Sequence, residues 1–361
     1  MRGQIPTEPC FISLINVETM IPQAHPIRVI KKMCDEVLAS LSRQLDGIYS
    51  TEGAPSIPPE TLLKGKVLQA LYTVRSDRQL CDRLKTDLLF RWFVDLPLDT
   101  EVFDASTYSK NQQRLLQHQV ADLFFTAIVE LARHHGWVSN EHFSVDGTLI
   151  EAWASAKSFR PKDEPKGPGS GNAWMDFKGE SRRNDTHEST TDAEAKLVRK
   201  GPGKEAKLCF GAHLAMENRH GLCVRFAVKP AVGVTETEAA LEQLAELKAN
   251  GFRPKSVGAD KGYHHGAFIQ GVRQLGAVPH PALKQNQEAL HVRLTATHAI
   301  SQLIRKRIEE LIGWCKTTGN FRKSRYRGVE RTHAQGQYVA IACNLVRMAK
   351  LSLGPPVVAR A

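Results

Sequence analysis

Residues 142–153, "HFSVDGTLIEAW", decide how the rest of the chain is read. Phe143, Val145 and Leu149 alternate with Ser144, Asp146 and Thr148, which predicts a strand with one buried face and Asp146 on the other. Upstream the period is helical instead. "PIRVIKKMCDEVLASLSRQL" (26–45), "PPETLLKGKVLQALYTV" (58–74) and "VADLFFTAIVELARHHG" (120–136) each place apolar residues on one helical face. Prolines open the second where a helix tolerates them, and Gly136 closes the third as a C-cap. Between these lie "SDRQLCDRLKTDLLFRWFVDL" (76–96) and "DASTYSKNQQRLL" (104–116), whose Ser and Thr offer caps for a further short basic helix. Residues 1–139 therefore read as an all-α N-terminal domain. Its exposed Arg, Lys, Gln and Asn suit a DNA-docking module of helix-turn-helix type, with a helical dimerisation or packing domain as the alternative.

Downstream, residues 140–361 read as a mixed α/β domain. "KSFRPKDEPKGPGSGNAW" (157–174), continuing to "RKGPGKEAK" (199–207), is rich in Gly, Pro and basic residues, so 157–206 reads as a long, mostly irregular excursion, either a DNA-contacting loop or a solvated insertion. "KLCFGAHLAMENRHGLCVRFAVKPA" (207–231) is two apolar runs split by the turn signal "NRHG", an antiparallel hairpin. "TETEAALEQLAELKANG" (235–251) is an amphipathic helix closed by Gly251, "PKSVGADKGY" (254–263) a short strand running into a turn, "GAFIQGVRQLG" (266–276) a helix and "AVPHPA" (277–282) a short strand. In a sheet of this order the first and fourth strands can be neighbours, bringing Asp146 and Asp260 within a few ångströms. Two carboxylates so placed repel unless a divalent cation lies between them. Singly, each is equally a cap or turn former.

Composition bounds the partners. The 361 residues can bury a sizeable core, and a net charge of +11 points to a polyanion, most often nucleic acid. No apolar run reaches the roughly 18 residues of a membrane span, and "MRGQIPTEPCFISLINV" lacks the pattern of a secretion leader. The expectation is a cytoplasmic protein without membrane contact. Seven scattered cysteines with no C-x-x-C pair fit reduced thiols rather than a disulfide framework or a zinc site.

A third acid comes from "LIRKRIEELIGWCK" (303–316). At about 100° per residue, Ile304, Ile308, Leu311, Ile312 and Cys315 form one apolar face, with Arg305, Glu309 and Lys316 gathered on its flank. Glu310 points away and should face solvent. Arg305 and Lys316 would flank Glu309 with phosphate-binding cations. The Arg-dense "NFRKSRYRG" (320–328) supplies Arg322, Lys323, Arg325 and Arg327 for phosphate contact. Glu330 is a rival third acid in a basic loop. His134–His135 and His264–His265 are adjacent pairs that point to different faces, poor metal ligands. Trp153, Trp174 and Trp314 are candidates for stacking on a flipped base.

The spacing R-x3-E-x6-K, carried by Arg305, Glu309 and Lys316, resembles the signature around the last acid of DDE transposases of the insertion sequence 4 and 5 superfamily. "FSVDGTLIEAWAS", "KSFRPKD", "TDAEAKLVRKGPGKEAKLCFGAH", "MENRHGL", "ADKGY", "IEELIGWCKTTG", "RYRG" and "NLVRMAKL" resemble the insertion sequence 5 type, as do "FRWFVDLPLD" and "DASTYSKNQQRLL" in the helical domain. The resemblance covers nearly the whole chain. It implies an RNase H-like catalytic core in which Asp146, Asp260 and Glu309 hold two Mg²⁺ ions, with Mn²⁺ able to substitute. It implies a transposase that binds terminal inverted repeats, cleaves them and joins the freed 3′ ends to target DNA, as a homodimer or larger assembly on paired double-stranded ends. The place of action would be the bacterial nucleoid. No ATP is implied, in keeping with the lack of a G-x-x-x-x-G-K-[ST] loop. Two positions depart from the family pattern: Gln302 stands where Tyr is frequent, and Asp95 where related sequences carry Gly. A nuclease of the same fold without strand transfer and an inactive DNA-binding regulator are the alternative readings.

Overall fold

A computed structural model describes residues 16–50, 52, 56–162, 182–201, 203–233, 235–284 and 296–354. Its N-terminal part is helical as the periodicity predicts: α1 (Val17–Met20), α2 (Pro26–Asp46), α3 (Pro59–Leu71), α4 (Asp77–Thr86), α5 (Leu88–Phe93), α6 (Ala105–Gln117) and α7 (Val120–His134). Ser76 caps α4 by accepting from the Gln79 amide, and Gly136 follows α7 with a φ of +72°, where a glycine costs least. The cap of α6 differs from expectation. Asp104 is the N-cap, accepting from the amides of Ser106 and Thr107, and the Ser and Thr hydroxyls donate to its carboxylate. A carboxylate at this end of a helix satisfies free amides and opposes the helix dipole, which a hydroxyl does less well.

Asp95, where the family resemblance leads to an expectation of Gly, has a φ of +55°. The backbone there does require the left-handed region, which Asp tolerates better than most residues. Its carboxylate also pairs with Lys31 and with the buried Lys64, so the departure from Gly adds ion pairs that hold α2, α3 and α5 together.

The sheet begins at β1 (His142–Glu151) and continues with β2 (Phe159–Pro161), β3 (His187–Ser189), β4 (Lys196–Arg199), β5 (Ala206–Glu217), β6 (Leu222–Pro230), α8 (Glu236–Ala249), β7 (Ser256–Ala259), α9 (Gly266–Gln274), β8 (Val278–Pro281), α10 (Ala296–Arg305), α11 (Arg307–Lys316) and α12 (Val329–Leu353). The strand order is β4-β5-β1-β7-β8, with β6 also pairing β5. β5 joins β1, β4 and β6 antiparallel, whereas β7 joins β1 and β8 parallel. Taken as β6-β5-β1-β7-β8, this is the order of an RNase H-like sheet, the fold the resemblance implies. Pro279 and Pro281 lie on β8, at one edge of the sheet, where a missing ladder donor is tolerated.

One expectation needs correction here and another refinement. α11 packs on the second face of β1, so its polar face is partly covered as well. Ser144 is fully buried and accepts a hydrogen bond from Asn218, and Ile150 on the same pleat is buried too. Alternation identified the strand but not its neighbours on the second face. The 157–206 excursion is also less irregular than its composition suggests. β2 and β3 form a separate two-stranded sheet, and β4 adds to the edge of β5. Backbone pairing with an existing edge needs few apolar side chains, so composition gives little sign of it. Residues 163–181 and 202, including Trp174, lie outside the described residues.

α8 packs on the face of β1 that carries the odd-numbered residues, where the Glu236 side chain lies against Gly147. α11 packs on the other face, where Lys316 reaches Thr148. α12 spans the molecule, touching β6 on one side and α2, α3 and α7 on the other, and the buried residues make one continuous core. The closest approach is at Gly336, where an added Cβ would overlap the Phe226 ring. Gly336→Ala is expected to lower stability by about 1–3 kcal/mol through overpacking, more than the roughly 1 kcal/mol that Ala gains over Gly in a helix. Thermal unfolding of the variant would read this as a lowered Tm; an unchanged or raised Tm would refute it. No helix among the described residues is long and apolar enough to cross a membrane.

Candidate active site

The register of β1 on β7 sets the first two acids level with each other. Ser144 faces Gly258, so Asp146 and Asp260 stand two residues further along parallel neighbours. β7 ends at Ala259, and Asp260 turns the chain by accepting the Gly262 amide at 2.7 Å. Asp146 accepts the Gly147 amide at 2.8 Å. Burial pushes the Asp146 carboxyl up to about 6, and the negative charges of Asp260 and Glu236 push the same way against the opposing Gly147 amide and Arg305. Two carboxylates thus lie near each other where β1 runs past the end of β7.

Glu236 is the acid that the sequence reading did not single out. It is the first residue of α8, whose Thr235–Glu238 capping box fixes its first turn. Burial, then the charge of Asp260, raises its carboxyl above the usual range. The buried Tyr263 hydroxyl is pushed well above its ordinary value by burial, with Glu236, Asp146 and Asp260 adding to it. The signal in the sequence was the glycine beside Asp146: an added Cβ at Gly147 would lie 2.9 Å from the Glu236 carboxylate, so a side chain there would displace the end of Glu236.

Glu309 stands farther out. The helix expected over 303–316 is broken at Lys306 into α10 and α11, so the continuous wheel does not hold across the break. Ile308, Leu311 and Cys315 are buried as the apolar face requires, and Ile304 and Ile312 are half-buried. The Glu309 side chain is 62% exposed, and its carboxylate lies 3.8 Å from Arg305, whose own side chain is 13% exposed. Arg305 therefore stands between the outer acid and Asp146. Glu310 is exposed beside a hollow between α11 and α12 lined by Arg307, Arg347 and Lys350. Among the described residues no group of three or more His, Cys, Asp or Glu is close enough to hold a metal ion. Asp146 and Asp260 offer two carboxylates whose mutual repulsion a hard divalent cation would relieve, and oxygen donors of this kind suit such an ion.

Cations border the acids on one side. Lys316 donates to the Thr148 hydroxyl at 2.5 Å, two residues along β1 from Asp146. Burial lowers its ammonium, helped by the positive charges of Lys200 and Arg322. Arg322 and Arg327 are exposed, and Lys323 is exposed but paired at 3.3 Å with Glu151. Arg325 turns inward instead, donating to the Val74 carbonyl at 2.8 Å. Gln302 donates to the His280 carbonyl on β8 at 2.5 Å, which ties α10 to the sheet edge.

The remaining candidates are placed elsewhere. Glu330 is exposed in the first turn of α12 rather than in a loop. His134 and His135 are exposed at the end of α7, His264 accepts the Lys284 amide and His265 pairs with Thr237. Trp153 is exposed, and Trp314 packs against the core. The six cysteines among the described residues are free.

Two family models match this chain. The model described as transposase DDE domain matches residues 140–345, and the model described as transposase domain (DUF772) matches residues 15–114. Among solved structures, a piggyBac transposase synaptic complex with hairpin DNA is 8% identical, covering 92% of this chain and 77% of that one at a TM-score of 0.42. A pre-cleavage Mos1 transpososome is 8% identical, with 91% and 98% covered and a TM-score of 0.21. The Mos1 strand transfer complex is 9% identical, with 80% and 86% covered and a TM-score of 0.22.

Proposed function

Because the chain belongs to the transposase DDE domain family, we propose that it is an insertion sequence 5 type transposase that cleaves the terminal inverted repeats of its element and joins them to target DNA through Asp146, Asp260 and Glu309. The observation that carries this reading is the level placement of Asp146 on β1 and Asp260 just past the end of β7, beside a basic border of Lys200, Lys316 and Arg322. Asp146 and Asp260 would hold the divalent cation, Mg²⁺ as two ions or Mn²⁺ in its place, and Glu309 would complete the set by turning its exposed side chain inward past Arg305. Bound there, such a cation supplies Lewis-acid polarisation of the scissile phosphate. The protein's own part is to orient the strand. Lys316, held against Thr148, and the exposed Arg322 bind phosphates on either side of the bond that breaks, while Arg305 balances the charge of Asp146 and Glu309. The freed 3′ hydroxyl remains on the same border and attacks the target phosphodiester. Two ends joined in one event call for two such sites, hence a dimer or larger assembly on DNA.

The test uses the purified chain and labelled double-stranded DNA bearing the ends of its own element, with Mg²⁺ or with EDTA. Metal-dependent nicking at the ends followed by joined products is the expected result. Nicking without joining would reduce the protein to a nuclease, and binding without nicking to a regulator. Binding should weaken steeply with salt, and Arg322→Ala should lower the slope of log K against log salt by about 1. A slope unchanged by Arg322→Ala would remove that residue from the DNA path.

A further inference from the structure

A second site lies away from the acids, between α3, α6 and the start of α12. It is a cavity of about 380 Å³ whose wall includes Ala70, Leu116, Ala334 and Val339, with the rings of Tyr326 and Tyr338 beside them. Its polar atoms are unusual in kind. Arg325 Nε, Gln335 Nε2 and Gln112 Nε2 are buried with no hydrogen-bond partner among the described residues, and all three are donors. Gln335 is 7% exposed, and its carbonyl oxygen is already used by the Arg325 amide, so its free end cannot be an acceptor. Lys66, Lys110, Arg325 and Arg331 line the cavity against one acid, Asp77, which Lys66 already neutralises at 2.8 Å. Buried donors left unpaired cost free energy, and a surplus of positive charge adds to that cost. A ligand that brings acceptors and negative charge would relieve both.

We propose that this cavity binds a nucleotide, its phosphate on the donors of Arg325, Gln335 and Gln112 and its base on the apolar wall beside Tyr326 and Tyr338. A phosphate alone would leave that wall bare, while a cavity of this size accepts a small organic ligand. Arg325 and Tyr326 belong to the same basic loop as the exposed Arg322, whose charge acts on Lys316, so an unpaired nucleotide of a bound strand could reach the cavity as well as a free one. Ring stacking and charge-assisted donors are the features by which unpaired nucleotides are held.

The experiment titrates the full chain in EDTA with three probes: inorganic phosphate, deoxyadenosine monophosphate and a fluorescent single-stranded hexanucleotide. Two variants accompany it. Gln112→Met removes one unpaired donor at similar volume, and Ala334→Phe fills the cavity. The expected result is that the mononucleotide binds more tightly than phosphate, and that each variant weakens it about tenfold or more while the Tm stays within a few degrees. If the hexanucleotide also competes with the mononucleotide for the cavity, the source is a strand; if it does not, the source is free nucleotide. Equal binding in wild type and both variants, or no saturable binding of either nucleotide probe, would overturn the proposal. Because metal is absent and no cleavage is read, either outcome leaves the assignment of Asp146, Asp260 and Glu309 as it was.

Discussion

Asp146→Asn is expected to abolish cleavage and yet to make the metal-free protein more stable above pH 6. The two effects share one cause, the crowding of carboxylates around Asp146, where β1 runs past the end of β7. In EDTA the Asp146 carboxyl has a folded-state value of about 6 against an ordinary 3.8, first because it is buried and then because Asp260 and Glu236 are near. A raised folded value means that the stability contribution is whole below pH 4 and is lost as the pH rises through about 6. A rise of that size corresponds to about 3 kcal/mol at most, lowered to about 2 by the solvent that reaches the carboxyl. Asn carries no charge at any pH, so the variant escapes this loss. Wild type and variant should melt together near pH 4 and separate by several degrees at pH 8, with the variant higher. Mg²⁺ should raise the Tm of the wild type more than that of the variant, because only the native site retains both aspartates. Cleavage should fall by about a thousandfold or more, since several kcal/mol of transition-state stabilisation go with the cation. If Asn lowers the Tm at pH 8, the crowding argument fails; if cleavage persists, Asp146 is not a ligand.

The second large effect separates neighbours. Glu309→Gln should lose cleavage by about a hundredfold or more, whereas Glu310→Gln should stay within a factor of about two. Both side chains are exposed and both sit in the first turn of α11, so a general effect on the helix would strike them alike. Their directions differ: Glu309 pairs with Arg305 toward Asp146, and Glu310 overlooks Arg307, Arg347 and Lys350. Gln preserves size and helix propensity, which leaves charge as the difference. Loss in Glu310→Gln alone would mean that α11 presents its other flank during catalysis. Survival of cleavage in Glu309→Gln, with loss in Glu236→Gln, would assign the third carboxylate to α8.

Much of the fold was legible in local pattern. Helical period gave α2, α3 and α7, a two-residue period gave β1, and turn residues between apolar runs gave the β5–β6 hairpin, because periodicity and turn chemistry are properties of adjacent residues. Composition gave no sign of the short strands within 157–206, where β4 pairs with the edge of β5. The capping of α6 by Asp104 was readable in principle, since Asp precedes Ser and Thr at the right offset.

Local pattern fixed which residues could be on strands and helices, the mixed sheet, the basic charge and the spacing that links Arg305, Glu309 and Lys316. What those residues meet depends on the folded arrangement. It set Asp146 level with Asp260 through the β1–β7 register, brought Glu236 against Gly147, broke the helix at Lys306 and turned Arg325 inward to Val74. The reason is physical: periodicity fixes the face on which a side chain stands, but burial and the charges across from it come from elements far away in the chain, and these set the Asp146 carboxyl at about 6.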